Sequence, residues 1–239
     1  MNSKSKKIMI ACFTLPATLC FLIVFAYPVL RTILMSFYNI DNIVSRMSEW
    51  QFVGLSNFTE LLNTSLFRQT WVTFLKIWLF GGITVTLIAL TMAVILTSGI
   101  RGKAFFRAAI YLPNTISAVA LANMWIHYAF NIRWGLFHSL FSFLGWDKMA
   151  EFQWMAPDNL FLSMMIAFCF GAVGYYMLIY ISGIEKIPVD IYEAARIDGA
   201  SIIYNLFHIT LPLLKGVFKT TMTIWTTSTL GFYIWSQMF

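Results

Sequence analysis

The sequence predicts an all-α polytopic membrane protein, and three observations carry that prediction. Hydrophobic residues make up 59% of the chain and charged residues only 11%, outside the range of soluble globular domains. Five apolar stretches are long enough to cross a bilayer, whose core of about 30 Å takes roughly 20 helical residues. Those stretches are continuous, whereas the strands of a membrane β-barrel alternate in polarity over about ten residues.

The elements follow in order. Residues 1–7 form a short basic N-terminus (Lys4, Lys6, Lys7), and 8–239 a single transmembrane domain. The first span is Ile8–Leu30, too long for a signal peptide and lacking a small-residue cleavage site. Residues 31–70 are a polar, aromatic loop in which Ser56 reads as the N-cap of a short helix, Asn57–Asn63. The second span is Trp71–Ser98, with Gly81 and Gly82 as a close-packing point. A basic turn, Gly99–Lys103, leads to a third span, Phe105–Ala129, interrupted by Pro113. Residues 130–159 form a second aromatic loop, with Trp134, Trp146 and Trp154 as interface anchors. The fourth span is Leu160–Ile184, where Gly171, Gly174 and Gly183 permit close helix approach. A polar island, 185–216, precedes a fifth span that starts near Val217 and is still running at Phe239.

Charge sets the expected orientation. Lys4, Lys6, Lys7, Arg101, Lys103, Arg107, Lys186, Arg196, Lys215 and Lys219 fall on one side, ten against five (Arg31, Arg46, Arg68, Arg133, Lys148) on the other. The richer side is cytoplasmic by the positive-inside rule, which puts the N-terminus and the island inside and the loops 31–70 and 130–159 outside. The net charge of +6 belongs to residues flanking spans, so no nucleic-acid partner is expected; membrane lipid is the surrounding. Cys12, Cys20 and Cys169 lie within spans and read as small core thiols. His127, His138 and His208 are isolated, so no metal site is expected.

The island carries the functional signal. Pro188 suits a helix start, and Asp190 and Glu193 suit the positive end of that helix. Ala194 and Ala195 admit a close neighbour. Gly199 permits a turn, after which Ser201 opens a second helix whose apolar residues share one face. Leu211-Pro212 is expected to break it. The result is a helix–turn–helix projecting into the cytoplasm, or else an amphipathic connector lying on the membrane.

The order Glu193-Ala194-Ala195, three residues, Gly199, nine residues, Ile209, one residue, Leu211-Pro212 resembles the EAA loop of ABC importer permeases. EAARIDGAS, with FVGLSNF at Phe52–Phe58 and the segment Phe106–Ala118, is similar to the carbohydrate-uptake branch, the sugar permeases related to the two maltose permease subunits. The resemblance implies a MetI-like permease fold and a coupling helix formed by Glu193, Ala194, Ala195, Asp198, Gly199, Leu211 and Pro212, docked in an ATPase dimer. It implies a second homologous permease subunit, an extracellular solute-binding protein and a sugar substrate. No GxxxxGK[ST] occurs, so the chain holds no nucleotide cofactor and is no enzyme; ATP and Mg belong to the partner. Permeases of this kind have a further core span, so the chain reads as truncated, with five visible spans and the last core helix missing.

No acid lies mid-span, which argues against an ion-coupled carrier and for an uncharged substrate. Aromatic rings and hydroxyls suit sugars. Counted without gaps from the loop, Tyr175 falls where the larger maltose permease subunit has a sugar-contacting Tyr. Phe168, Gly171, Ala172, Trp225, Ser228, Thr229 and Phe232 fall at other lining positions, several without the relative's polar side chain. Helix packing is the competing role for each. Asn114 and Asn123 are candidates to line the path or to bond across helices. The alternatives are a permease for another neutral polyol or a glycerol-phosphate-like solute, and a non-transporting receptor or scaffold that keeps the docking loop.

Overall fold

A computed structural model describes residues 3–40, 42 and 46–239. The chain divides into two units, 1–72 and 73–239, each described by itself.

In the first unit, α1 (Ser3–Phe21) continues through a π turn (Leu22–Ala26) into α2 (Tyr27–Met35), outrunning the predicted Ile8–Leu30 at both ends. Pro28 follows directly on the π turn, where the bonding pattern is already shifted, so it does not end the helix. None of the most apolar window of this run is buried. Cys12 and Cys20 are accordingly exposed, not core thiols: a helix apolar all round has no single inward face. Two short strands, β1 (Tyr38–Asn39) and β2 (Gln51–Phe52), pair antiparallel with Tyr38 opposite Phe52. Next, α3 (Ser56–Asn63) starts one residue before the predicted helix, with Leu55 in the cap position and no side-chain cap. The bonding at this end comes from Asn57, whose Nδ2 donates to Ser36 O and Tyr38 O, both at 3.0 Å. Residues 1–2 of the expected N-terminal segment and 41 and 43–45 of the expected first loop lie outside the described residues.

Helix α4 (Ser65–Lys76) passes through a π turn (Ile77–Gly81) into α5 (Gly82–Thr97). The third predicted span is not one helix. It is α6 (Lys103–Thr115) and a second segment, α7 (Ala118–Met124) with its π turn Trp125–Ala129, bent by 101°. Pro113 stays inside α6. The break falls at Ile116, which is extended, and Ser117, whose Oγ accepts from the Ala120 N–H at 3.3 Å and restarts the helix.

The second aromatic loop folds into α8 (Leu136–Phe143) and α9 (Asp147–Ala150). Trp134 and Trp146 are exposed, but Trp154 is buried and is no interface anchor. Its ring stacks on Phe130 at 5.5 Å and meets Phe152 edge-on at 4.7 Å, gaining more from aromatic packing than from solvent.

Helix α10 (Leu160–Ile184) has the predicted bounds, and 61% of its window is buried, the largest share of any candidate span. Its glycines are contact points. A Cβ on Gly171 would meet Leu121 at 2.9 Å. One on Gly174 would land on the Ile110 carbonyl oxygen and 2.6 Å from Tyr111 Cα. One on Gly183 would lie 2.7 Å from Leu214 and Val217. The island holds α11 (Val189–Ile197), α12 (Ile202–Asn205) and α13 (Leu211–Leu213), and after it come α14 (Lys215–Leu230) and α15 (Tyr233–Met238). Tyr180 and Thr221, both buried, join α10 to α14 by a 3.0 Å hydroxyl pair.

Among the described residues three helices are long and apolar enough to cross a membrane, and a fourth if the bent pair counts as one. The fifth predicted span differs: α14 is a threonine-rich 16-residue helix that stops at Gly231. Its hydroxyls bond back to carbonyls four residues earlier, as Thr223 to Lys219 O and Thr226 to Met222 O do.

Candidate functional site

Two features stand out, an exposed loop and a cavity. The loop begins at Pro188, which caps α11 (Val189–Ile197) from outside the helix. Asp190 lies in the first turn and Arg196 in the last, each at the end its charge suits. Gly199 has φ +77°. The Ala200 N–H bonds to Ala195 O at 2.9 Å and the Gly199 N–H to Arg196 O at 3.1 Å, a Schellman closure. Open space surrounds Gly199, so glycine is required for its left-handed backbone and not for lack of room. Ser201 Oγ then accepts from the Tyr204 N–H at 3.1 Å and starts α12 (Ile202–Asn205).

The second helix does not break at Leu211-Pro212. A π turn (Leu206–Thr210) runs into α13 (Leu211–Leu213), and the chain breaks at Leu214. Pro212 follows a turn already wound wide, which lowers the cost of its missing N–H. Tyr192 OH and Thr210 Oγ1, 3.0 Å apart, pin the two helices together. Glu193, Ala194, Asp198, Gly199 and Pro212 are exposed, while Ala195 and Leu211 are half-buried. Among the described residues the Glu193 carboxylate has no ion-pair partner. Ile197 and Ile202 are exposed at 86% and 84%, flanking the turn with apolar surface. Arg107 and Glu185 form a 2.6 Å ion pair, which sets the start of α6 beside the start of the island.

The cavity, about 280 Å³, lies where the α6–α7 break faces α10, α14 and α15. Six of the eight residues expected on the substrate path line it: Phe168, Gly171, Ala172, Tyr175, Trp225 and Ser228. Thr229 and Phe232 do not line it. Thr229 is buried with its hydroxyl on Trp225 O, and Phe232 packs edge-on against Phe168 at 5.0 Å. Thr229 lies on the buried side of α14, and Phe232 lies past the end of that helix at Leu230.

Trp225 is held firmly as one wall. Its Nε1 donates to Trp78 O at 2.9 Å, and Trp78 Nε1 donates to Thr226 Oγ1 at 2.9 Å. Trp78 lies in the π turn before α5, and its carbonyl oxygen also accepts from the Gly82 N–H. Gly82 makes the room: a Cβ there would stand 2.7 Å from Trp225 Nε1. The Asn114 side chain donates to Gly171 O at 3.2 Å across helices, while Asn123 bonds only within its own helix, to Val119 O at 2.9 Å.

Sequence reading missed the contribution of the break itself, through Ile116 and Ala118, and of Trp235. The cap residue Ser117, four positions after Pro113, was the available signal. Among the described residues no group of three or more His, Cys, Asp or Glu could hold a metal ion. No charged side chain lines the cavity; its chemistry is aromatic faces with an amide and hydroxyls.

Comparison with known proteins gives a consistent picture. The family described as "Binding-protein-dependent transport system inner membrane component" matches residues 85–239. An arabinooligosaccharides transport system permease protein of Bacillus subtilis (strain 168) is 31% identical over 223 residues, covering 92% of this chain and 68% of the relative. A trehalose/maltose transport system permease protein of Thermococcus litoralis is 31% identical over 207 residues, covering 85% of this chain and 67% of the relative. A bacterial ABC transporter involved in import of the acidic polysaccharide alginate shares the fold, at TM-score 0.74 and 19% identity, over 95% of this chain and 73% of that one. A second crystal structure, of the bacterial alginate transporter in complex with an alginate pentasaccharide-bound periplasmic protein, aligns at TM-score 0.71 and 19% identity over the same shares.

Proposed function

Because this chain belongs to the family of binding-protein-dependent transport system inner membrane components, we propose that it is the permease subunit of an ATP-driven importer for a neutral oligosaccharide or related sugar. The cavity lining carries the substrate class. Phe168, Tyr175 and Trp225 offer faces for the apolar side of a sugar ring, and Asn114 and Ser228 offer polar groups for its hydroxyls. The names of the arabinooligosaccharide and trehalose/maltose relatives support the same class. A phosphorylated solute would need a cation within reach, and no Lys or Arg lines this cavity.

The loop from Pro188 to Leu213 is the docking element for a separate ATPase dimer. Ala194 and Gly199 leave a close approach open, Glu193 offers an unpaired carboxylate, and Ile197 and Ile202 offer apolar surface. ATP and Mg are handled by that partner. When the ATPase dimer closes, the Schellman turn and the Tyr192–Thr210 pair let the two short helices move as one body, carrying α10 with them. A second homologous permease closes the open side of the cavity, and an extracellular solute-binding protein delivers the sugar. The docking loop, the turn before α6 and the N-terminus lie on the cytoplasmic side, and 31–70 and 130–159 outside. The Arg107–Glu185 pair supports a shared side for the first two.

The test is reconstitution into proteoliposomes with the second permease, the ATPase and the binding protein. Uptake of radiolabelled maltose, arabino-oligosaccharides and glycerol 3-phosphate is then compared with and without ATP. ATP-dependent uptake of a neutral saccharide is expected. Uptake of glycerol 3-phosphate alone would overturn the substrate assignment.

A further inference from the structure

A second cavity of about 400 Å³ lies on the island side of the first, and one residue, Tyr175, lines both. The two share a single face of α10. Phe168, Ala172 and Tyr175 line the first, and Tyr175, Ile179, Ser182 and Lys186 line the second. Steps of three and four residues keep the positions from Phe168 to Ser182 in one stripe of the helix. From Phe168 to Ser182 that stripe rises about 21 Å at 1.5 Å per residue, some two-thirds of the roughly 30 Å bilayer core, and Lys186 stands in the turn just past the end of α10.

The second cavity mixes apolar side chains, Leu178, Ile179 and Val217, with polar ones. Tyr111, Ser182 and Thr220 bring hydroxyls, Lys186 stands at its end, and no carboxylate lines it. Its walls are held by the glycine contacts. Gly174 seats α10 directly on the backbone at Ile110 and Tyr111, and Gly183 seats it on Leu214 and Val217. Tyr175 is the one side chain common to the two linings. Tyr175 is 37% exposed, and its ring meets only the edge of Tyr176 among the described aromatic pairs, at 5.5 Å and 89°. A ring exposed to that extent changes rotamer readily, whereas its neighbours Gly174 and Tyr176 are buried.

We infer that the carried solute leaves the first cavity past Tyr175 and descends the Ile179–Ser182 stripe of α10 toward Lys186 on the island side, with the Tyr175 ring as the movable divider. This rests on the permease reading above. The second cavity supplies hydroxyls from Tyr111, Ser182 and Thr220 and no acid, which suits a neutral polyhydroxylated solute in transit. Lys186 stands two residues before Pro188, so the mouth of the second cavity and the docking loop share one stretch of backbone.

The test is thiol labelling of the assembled transporter in membrane vesicles without ATP. Exposed Cys12 and Cys20 are replaced by serine, buried Cys169 is kept, and the protein without added cysteine sets the background. A membrane-impermeant methanethiosulfonate is applied from each side in turn. Lys103→Cys marks the island side and reports correct insertion. Ser182→Cys is expected to react from the same side as Lys103→Cys. Ala172→Cys is expected to react slowly from that side, about tenfold faster with Tyr175→Ala, and no faster with Tyr175→Trp, which keeps the divider. An unreactive Ser182→Cys, or an Ala172→Cys rate that Tyr175→Ala leaves unchanged, would overturn the path. The labelling needs no substrate, so the two readings fail separately. Saccharide uptake without this labelling pattern removes the path and leaves the permease. The pattern without saccharide uptake supports the path and removes the sugar.

Discussion

Helix α10 and the docking loop that follows it use glycine for opposite reasons. On α10, Gly174 sits where a single added carbon would strike the backbone of α6. In the loop, Gly199 has nothing within 4 Å of where that carbon would be, yet its φ of +77° excludes most other residues. One glycine is required by neighbours far away in sequence, the other by its own torsion. The first region is buried and fixed by packing; the second is exposed and fixed by backbone bonds. The difference suits the proposed roles, since a wall of a cavity must not yield, whereas a docking knob must keep its shape with little core beneath it.

Substitutions that separate space from torsion sharpen this contrast. The largest effect is expected for Gly174→Ala. Backbone cannot step aside as a side chain can, so a loss of about 3 kcal/mol or more is expected, read as a large fall in the thermal unfolding midpoint of the detergent-purified protein. If Gly174→Ala melts like the parent, the α6–α10 contact is not close and the packing half of the comparison fails.

Gly199→Val comes next. A β-branched residue in the left-handed region costs about 1–2 kcal/mol or more. The spans should still insert, while binding to the ATPase and uptake are lost. Gly199→Asn should retain most binding, because asparagine tolerates that torsion. Equal damage from Asn and Val in an ATPase pull-down would mean that space, not torsion, governs the turn.

Ser201→Ala should be milder, about 1 kcal/mol from loss of the cap on α12, seen as faster amide exchange at Tyr204 with the spans unchanged. The smallest effect is expected for Arg107→Ala. Its ion pair with Glu185 is partly solvated, with side-chain exposures of 24% and 51%, so the change should be no more than about 1 kcal/mol and should shrink in high salt. An unfolding midpoint that drops as far as that of Gly174→Ala would show the pair to be a main fastening of α6.

How much was legible follows the same division. The bounds of α10 could be read directly, because a continuous apolar run between polar residues is a local signal. The turn at Gly199 and the cap at Ser201 were legible for the same reason, as was the pattern that resembles the EAA loop. Where a local signal pointed the wrong way, another local feature outcompeted it. Pro113 was the visible breaker, yet the helix ran on to Thr115 and broke where Ser117 could cap its restart. Pro212 was another, yet the π turn before it carried the helix on to Leu213. Trp154 read as an anchor because tryptophan favours interfaces, and the ring cluster around it cannot be seen from its neighbours in sequence.

By itself the sequence determined the membrane class, the first, second and fourth spans, the polar island and the torsion of its turn, since each depends on residues within a few positions of one another. Only the tertiary structure decided that six residues from separate helices share one cavity while Thr229 and Phe232 stand outside it. It alone joined that cavity to a second through Tyr175. Such placements depend on where a 101° bend and the end of α14 at Leu230 send each helix face, and a bend angle is set by the packing of distant side chains, which no local pattern encodes.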